Sequence, residues 1–250
     1  SYTEAAVGSP RFINPIFATS EVDRDLVALT YAPLFYLDGS GTAQPGLAES
    51  YEIARDGRTI TVRLRPDLHW QDEAPLAARD IVFTVSRILD PAWKSPYASN
   101  FSGVIAKEID PRTVRFILSE PFAPFIQNLS LSPIPEHIWK NTTSSTVRAA
   151  EAQLMTVGSG PYQVEEIRRD GRAVRTVRLA RNPWFSGSLP HLDEVVVRFF
   201  GDRGAAEEAV ARRGADGISS VPAGAVGTHV RSRDTRAVRR LRFGRVSAFG

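Results

Sequence analysis

Residues 47–91 constrain the fold more tightly than any other part of the chain. At their centre stands Asp56-Gly57, a pair that favours a tight hairpin because glycine takes the positive φ such a turn needs. After it, Ile60, Val62 and Leu64 alternate with Thr59, Thr61 and Arg63, the period-2 pattern of a strand with one buried face. Farther on, Ile81, Val82, Val85, Ile88 and Leu89 fall on one helical stripe. Asp90-Pro91 stops that stripe, since a residue before proline is pushed out of the helical region.

The rest of the chain carries the same mixture. Residues 2–8 read as a short strand, followed by a loop holding Pro10 and Pro15. Residues 23–35 place Leu26, Val27, Leu29, Leu34 and Phe35 at helical spacing, with Pro33 ending or distorting the helix. Residues 37–41 predict a turn. Val114, Phe116 and Leu118 alternate as in a strand, and 139–151 is a polar tract that predicts a loop leading into a short helix. Gly158-Ser159-Gly160-Pro161 marks a boundary, after which strands resume at 174–179 and 195–199. Residues 205–213 predict a helix capped by Gly214, and 238–249 are again strand-like. This alternation is α/β without fixing a topology.

A hydrophobic content of 42% and a charged content of 24% exclude wholesale disorder. There are no cysteines, which excludes disulfides, thiolate nucleophiles and sulfur-ligated metals. No apolar run approaches the ~18 residues of a membrane span, and no signal peptide opens the chain. An exported protein would already have lost its leader, and a lipid anchor would need a cysteine outside these residues. Charge is uneven: residues 164–250 hold 17 arginines against 10 acidic residues, and residues 1–163 hold 14 basic against 18 acidic. The arginines alternate through strands, as in Arg175-Thr176-Val177-Arg178, which favours a solvated strand face. A basic module that binds nucleic acid or another polyanion is the alternative.

The motifs of catalysis are missing. His69, His137, His191 and His229 are scattered, and none lies in H-E-x-x-H. Gly158-Ser159-Gly160 lacks the spacing of a nucleophile elbow, and with three lysines the chain has no phosphate-cradling G-x-x-x-x-G-K. Asp72 and Asp80 could be imagined as an acid/base pair, but Asp80 opens a strongly amphipathic helix, where a carboxylate meets the helix dipole. The sequence predicts no enzyme, metal site or cofactor, although a metal site assembled from separated His and Asp residues stays open.

Taken together, Leu47-Ala48-Glu49-Ser50-Tyr51, Asp56-Gly57-Arg58-Thr59-Ile60-Thr61-Val62-Arg63-Leu64-Arg65 and Asp80-Ile81-Val82-Phe83-Thr84 resemble the core block of one family. These are the extracellular solute-binding proteins that feed oligopeptides, dipeptides or nickel to ABC importers. Asp110 to Phe122, Gly158-Ser159-Gly160-Pro161-Tyr162, Arg181-Asn182-Pro183-Trp184-Phe185, Pro190-His191-Leu192-Asp193 and Arg213-Gly214-Ala215-Asp216 resemble further blocks in the family's order. Three positions depart from the pattern. Glu73 stands where a turn usually has Gly, Ala77 replaces a capping Thr, and Pro33 takes the place of a Gly.

The resemblance implies a periplasmic-binding-protein type II-like fold of cluster C kind. It further implies a first-lobe core over 1–44, an inserted subdomain over 45–157 and a second part of the core over 158–250, with 241–246 entering a second lobe beyond Gly250. It implies capture of peptides outside the cytoplasmic membrane, an ABC permease as partner, a monomer, and nickel-chelate or other small-solute binding as the family's other branch. Ile13-Asn14-Pro15 matches the motif before the family's first ligand loop, which puts Thr19, Ser20 and Glu21 at contact positions. Ser95-Pro96-Tyr97-Ala98-Ser99 resembles a second contact segment, with Tyr97 and Ser99 facing ligand. Trp70 and Trp184 fall inside structural blocks, which implies core packing for both rather than sugar stacking.

Overall fold

The computed structural model describes residues 1–144, 146–147 and 153–219. Its elements in chain order are β1 (Tyr2–Val7), α1 (Glu21–Thr30), β2 (Phe35–Leu37), β3 (Ala43–Pro45), β4 (Ala48–Ile53), β5 (Thr59–Leu64), α2 (Ala78–Leu89), β6 (Ile105–Asp110), β7 (Thr113–Ile117), α3 (Phe125–Asn128), α4 (Glu136–Trp139), β8 (Tyr162–Asp170), β9 (Ala173–Arg181), β10 (Glu194–Phe200), α5 (Arg203–Ala211) and β11 (Gly217–Ile218). One 3-10 turn, Ala98–Phe101, follows α2.

The strands sort into two main sheets. β4-β5-β7-β6 is antiparallel throughout. The larger sheet has the order β11-β1-β10-β9-β8, with β1 parallel to both β10 and β11. The first strand of the chain therefore lies inside a sheet whose other members all follow residue 161.

The Asp56-Gly57 turn forms as its residues dictate. Gly57 sits at φ 64°, and the Asp56 carboxylate accepts the amides of Arg58 and Thr59 at 2.9 and 3.0 Å and the Thr59 hydroxyl at 2.9 Å. β5 then buries Ile60, Val62 and Leu64 in the larger apolar core, to which α2 contributes Ile81, Val85 and Ile88. Trp70, Trp93 and Trp139 complete this core: Trp93 stacks on Phe17 at 6.0 Å and meets Trp139 edge-on at 6.4 Å. On the larger sheet, Val177, Leu179, Val195, Val197 and Phe199 pack with Leu26 of α1. Ala5, Ala206 and Ala215 make a small core beneath α5.

Several expectations need correction. α1 runs from Glu21 to Thr30, starting two residues before the expected span and ending just before Pro33, the residue expected to end or distort it. Beside the local effect of Pro33 stands a tertiary one: Gly158-Ser159-Gly160 runs against the helix end, where the Gly160 amide donates to Thr30 O at 2.9 Å and Ser159 Oγ accepts the Ala32 amide at 3.2 Å. Neither glycine has a positive φ. A Cβ on Gly158 would stand 1.9 Å from Thr30 O, and one on Gly160 2.5 Å from Tyr31 N, so close backbone approach is what requires glycine here. Gln71 and Asn182 tighten this clasp: Gln71 Oε1 accepts the Gly158 amide at 2.7 Å, and Asn182 Nδ2 donates to Gly160 O at 2.8 Å.

α5 is closed differently from expected. The Gly214 amide donates to Ala209 O at 2.7 Å and the Arg213 amide to Val210 O at 3.0 Å, which is a Schellman ending. Its left-handed residue is Arg213, φ 59°, rather than Gly214. Glu73, in the turn where the resemblance expects glycine, likewise takes φ 68°. Trp184 is not core: it is 39% exposed and lies against His69, ring centroids 5.2 Å apart. Helix α4 and strand β6 were not anticipated, and the strand expected at 238–249 lies outside the described residues.

Candidate functional site

The candidate residues lie on two segments, one leaving β1 and the other leaving α2, that meet. The first follows β1. Asn14 is fully buried, and its Oδ1 accepts the Ile16 amide at 3.1 Å while its carbonyl accepts the amides of Phe17 and Ala18. This local turn sinks Ile13, Ile16 and Phe17 into the cores and leaves Thr19 and Ser20 on the surface. Ser20 is the N-cap of α1, its Oγ accepting the Asp23 amide at 3.1 Å. Asp23, in the first turn of α1, is buried and its Oδ1 accepts the amides of Arg11 and Phe12 at 2.8 and 3.2 Å. The start of the helix and the loop before it are thereby one unit.

The second segment follows α2. Buried Trp93 anchors it, Lys94 turns the chain through φ 51°, and Ser95 and Tyr97 then reach back to the first segment. Ser95 Oγ donates to Ile16 O at 2.8 Å, and Tyr97 OH donates to Ala18 O. Burial pushes the Tyr97 phenol above its ordinary pKa, the nearby Arg24 guanidinium acting the other way, so the hydroxyl is a neutral donor at physiological pH. Its ring packs partly buried against the larger apolar core.

Four of the five candidate residues thus come together: Thr19, Ser20 and Glu21 adjoin the carbonyl that Tyr97 holds. Ser99 stands apart, exposed in the 3-10 turn, with its Oγ 3.4 Å from Asn100 Oδ1. The Ser20 hydroxyl is already spent as a cap, and Thr19 O accepts Arg24 Nη1. What this loop offers a ligand is therefore its outer edge rather than those groups.

Glu21 also lines a cleft of about 300 Å³ with Val7, Val22, Asp25, Arg203, Ile218 and Ser219. It lies outside the carboxyl ends of β1 and β11, with α1 and α5 starting beside it, the position where open α/β sheets take ligands. Glu4 stands on β1 in the same sheet; burial raises its pKa, the Tyr2 hydroxyl opposes the shift, and the Asp25 carboxylate adds to it. Asp25, Arg203 and Ser219 were missed by sequence reasoning. The usable signal was placement just after a strand for Ser219 and at the start of a capped helix for Arg203, where Asp202 caps α5 through the Ala205 amide at 2.9 Å; Asp25, beyond the first turn of α1, gave none.

The features considered for other chemistries have structural partners. Asp80 is 1% exposed, with Oδ2 accepting the Ala77 amide and Oδ1 the Glu136 amide, both at 2.9 Å, and Trp70 Nε1 at 3.4 Å from Oδ2. Asp72 pairs with His137 at 2.7 Å. On the larger sheet Arg178 reaches Glu165, Glu166 and Glu194 within 3.3 Å, Arg168 pairs with Glu166, and Arg175 with Asp170. Those arginines spend their charge on neighbours. Among the described residues, no group of three or more His, Asp or Glu side chains is arranged to hold a metal ion. No helix there is long and apolar enough to cross a membrane.

Comparison with known proteins gives this arrangement a context. The family model for bacterial extracellular solute-binding proteins, family 5 (middle), matches residues 42–240. The dipeptide-binding protein of Escherichia coli (strain K12) is 28% identical over 214 residues, covering 76% of this chain and 39% of that protein. The glutathione-binding protein GsiB of Shigella flexneri serotype 5b (strain 8401) is 31% identical over 195 residues, covering 77% of this chain and 37% of that protein. Among solved structures, the ABC transporter substrate-binding protein CtaP of Listeria monocytogenes superposes with a TM-score of 0.75 at 33% identity, covering 85% of this chain and 43% of that one. The chain therefore spans about two-fifths of the length of these relatives.

Proposed function

Because the chain belongs to the bacterial extracellular solute-binding proteins of family 5, we propose that it forms part of the capture component of an ABC importer for short peptides. The fold is of the type II periplasmic-binding-protein class. On this reading it is the first lobe of such a protein, with the β4–β7 sheet and its helices as an inserted subdomain. Outside the cytoplasmic membrane it meets peptide on one side and a permease on the other. Short peptides are favoured over other solutes because the relatives named above bind dipeptide and glutathione.

The observation that carries the site assignment is the junction of the two candidate segments, where Tyr97 OH meets Ala18 O beside Thr19 and Ser20. A peptide has a repeating main chain and variable side chains, so a receptor for many peptides needs a fixed backbone edge and room around it. The 16–21 loop supplies a fixed edge, and the ring of Tyr97 an apolar surface at its side. Ser99 joins the site if the ligand extends past that ring. Capture in a protein of the relatives' length then works by lobe closure, an equilibrium biased by contacts made only in the closed state.

The test is to purify the full-length protein, denature it and identify the released small molecules by mass spectrometry. Co-purified peptides are expected, and their length fixes the ligand class. Release of a nickel chelate or a sugar would move the function to another branch of the family. A second measurement concerns the 250 residues alone: lacking closure, they should bind peptide weakly, and a sub-micromolar affinity would sink the closure mechanism.

A further inference from the structure

We infer that Ser95 and Tyr97 are positioning residues: together they hold the 16–20 loop in one conformation, and the hydroxyl of Tyr97 is committed to that task rather than to a ligand. The inference rests on the proposed peptide site and assigns a role within it. Ser95 is 8% exposed, and its Oγ both donates to Ile16 O at 2.8 Å and lies 3.3 Å from the Tyr97 amide, which donates to it. One buried hydroxyl thus orients the backbone that carries Tyr97 and pins the loop at the same time. Tyr97 OH takes Ala18 O two residues farther along. The spacing is regular: residues 95 and 97 of one segment hold carbonyls 16 and 18 of the other, side chain to backbone.

The segment reaches this geometry at a cost. Lys94, just before Ser95, holds φ 51°, a left-handed conformation that a residue with a Cβ adopts only when its surroundings enforce it. Trp93, on its other side, is 1% exposed and stacked on Phe17 of the loop with an interplanar angle of 13°. The loop is therefore gripped from one direction by a ring stack and two hydroxyls. From its own helix Arg24 Nη1 takes Thr19 O, and the Arg24 amide takes Ser20 O at 3.1 Å. The carbonyls of Ile16, Ala18, Thr19 and Ser20 are all occupied before a ligand arrives. Such a loop pays its ordering entropy on folding, not on binding, which is what preorganisation means for affinity.

The experiment compares Tyr97→Phe, Ser95→Ala and a distant control, Ser130→Ala, in the full-length protein. Amide hydrogen exchange is read at Phe17 and Ala18, whose N–H groups donate to Asn14 O. Loss of one net hydrogen bond predicts exchange faster by roughly 3- to 10-fold in both test variants and no change in the control. Trialanine is then titrated into each. Ser95 is buried beneath the loop, so equal weakening by Ser95→Ala and Tyr97→Phe is the signature of positioning. Unchanged exchange in both test variants would overturn the inference. So would a Tyr97→Phe that weakens trialanine binding at unchanged exchange, which would make the hydroxyl a ligand contact. If native protein ignores trialanine, the peptide reading suffers, and the exchange data alone still decide whether the loop is held this way.

Discussion

Removing the carboxylate of Asp80 tests how one buried charge organises the smaller core. Asp80 stands in the first turn of α2, yet it also accepts the amide that opens α4 and lies beside the Trp70 indole. Ala77 has no side chain able to cap the helix, so among the described residues Asp80 supplies the side-chain acceptor at that end. Hydrogen bonds to a charged acceptor are worth about 1.5–3 kcal/mol each, and a buried amide left bare costs about 1–3 kcal/mol. The helix dipole adds about 0.3–1 kcal/mol. Against these stands the cost of taking the carboxylate out of water, which outweighs the hydrogen bonds from Ala77, Glu136 and Trp70 in setting its pKa above the ordinary value.

Asp80→Ala should therefore cost about 3–5 kcal/mol, out of a total that for domains is about 5–15. Asp80→Asn, which keeps one acceptor oxygen, should cost about half as much. Urea denaturation followed by tryptophan fluorescence reads both, since Trp70 reports the site directly. The pH dependence has a definite sign. A raised folded pKa means that the native state holds this proton more tightly than the unfolded chain does. The contribution of Asp80 is thus fullest below the unfolded pKa and declines as pH rises through the folded one. The gap between native protein and Asp80→Asn should narrow as pH rises from the unfolded carboxylate value through the raised folded one. A loss below about 1 kcal/mol for Asp80→Ala refutes the hydrogen-bond account. A gap that widens with pH refutes the primacy of burial.

Glu73→Gly and Arg213→Gly each remove a side chain from a left-handed backbone conformation, and each should stabilise by about 0.5–1 kcal/mol; denaturation midpoints that fall in both variants would contradict this. Gly158→Ala drives a methyl group into Thr30 O and should cost about 3 kcal/mol or more, seen as melting lowered by roughly 5–10 °C; an unshifted melt would mean that the clasp yields freely. Asp38 accepts from Ser40, Gln44 and Thr42, which hold its pKa down at about 2. Its contribution is present above the unfolded carboxylate value and is lost as pH falls from there through about 2. Asp38→Asn should flatten the acid limb of an unfolding titration followed by circular dichroism, and an unaltered limb would count against the turn.

What was legible in the chain was local. Asp56-Gly57, the Ile60-Val62-Leu64 alternation and the stripe from Ile81 to Ile88 became a hairpin and a helix because short-range chemistry and one buried face agree there. Strand β6 gave no such signal, since five of its six residues are exposed and its edge position demands no alternation. The clasp of Gly158 and Gly160 on the end of α1 joins residues far apart in the chain, and the left-handed Arg213 inverts the usual preference for glycine. Trp184 lies in a block that implied burial, but its neighbour Asn182 does the structural work. For the site, the resemblance named Thr19, Ser20, Glu21, Tyr97 and Ser99 as candidates, and the structure adds that Ser20 caps α1. The bond from Tyr97 to Ala18 O was not legible, because no local rule links side chains to carbonyls 79 residues away.

The place of β1 inside the larger sheet sets an order of events in time. Among the described strands, β1 is made before its partners, β10, which begins at Glu194, and β11. The sheet from β4 to β7, by contrast, closes within residues 48–117. Non-local pairings are slow because chain entropy is spent before contacts reward it. Pulse-labelled hydrogen exchange during refolding should therefore protect β5 and β7 before β1, and simultaneous protection would argue against this order. Until its partners arrive, the unpaired N–H and C=O groups along Tyr2–Val7 are open to any other strand. The same connectivity that builds the mature larger sheet thus makes the nascent one dependent on being kept from its neighbours.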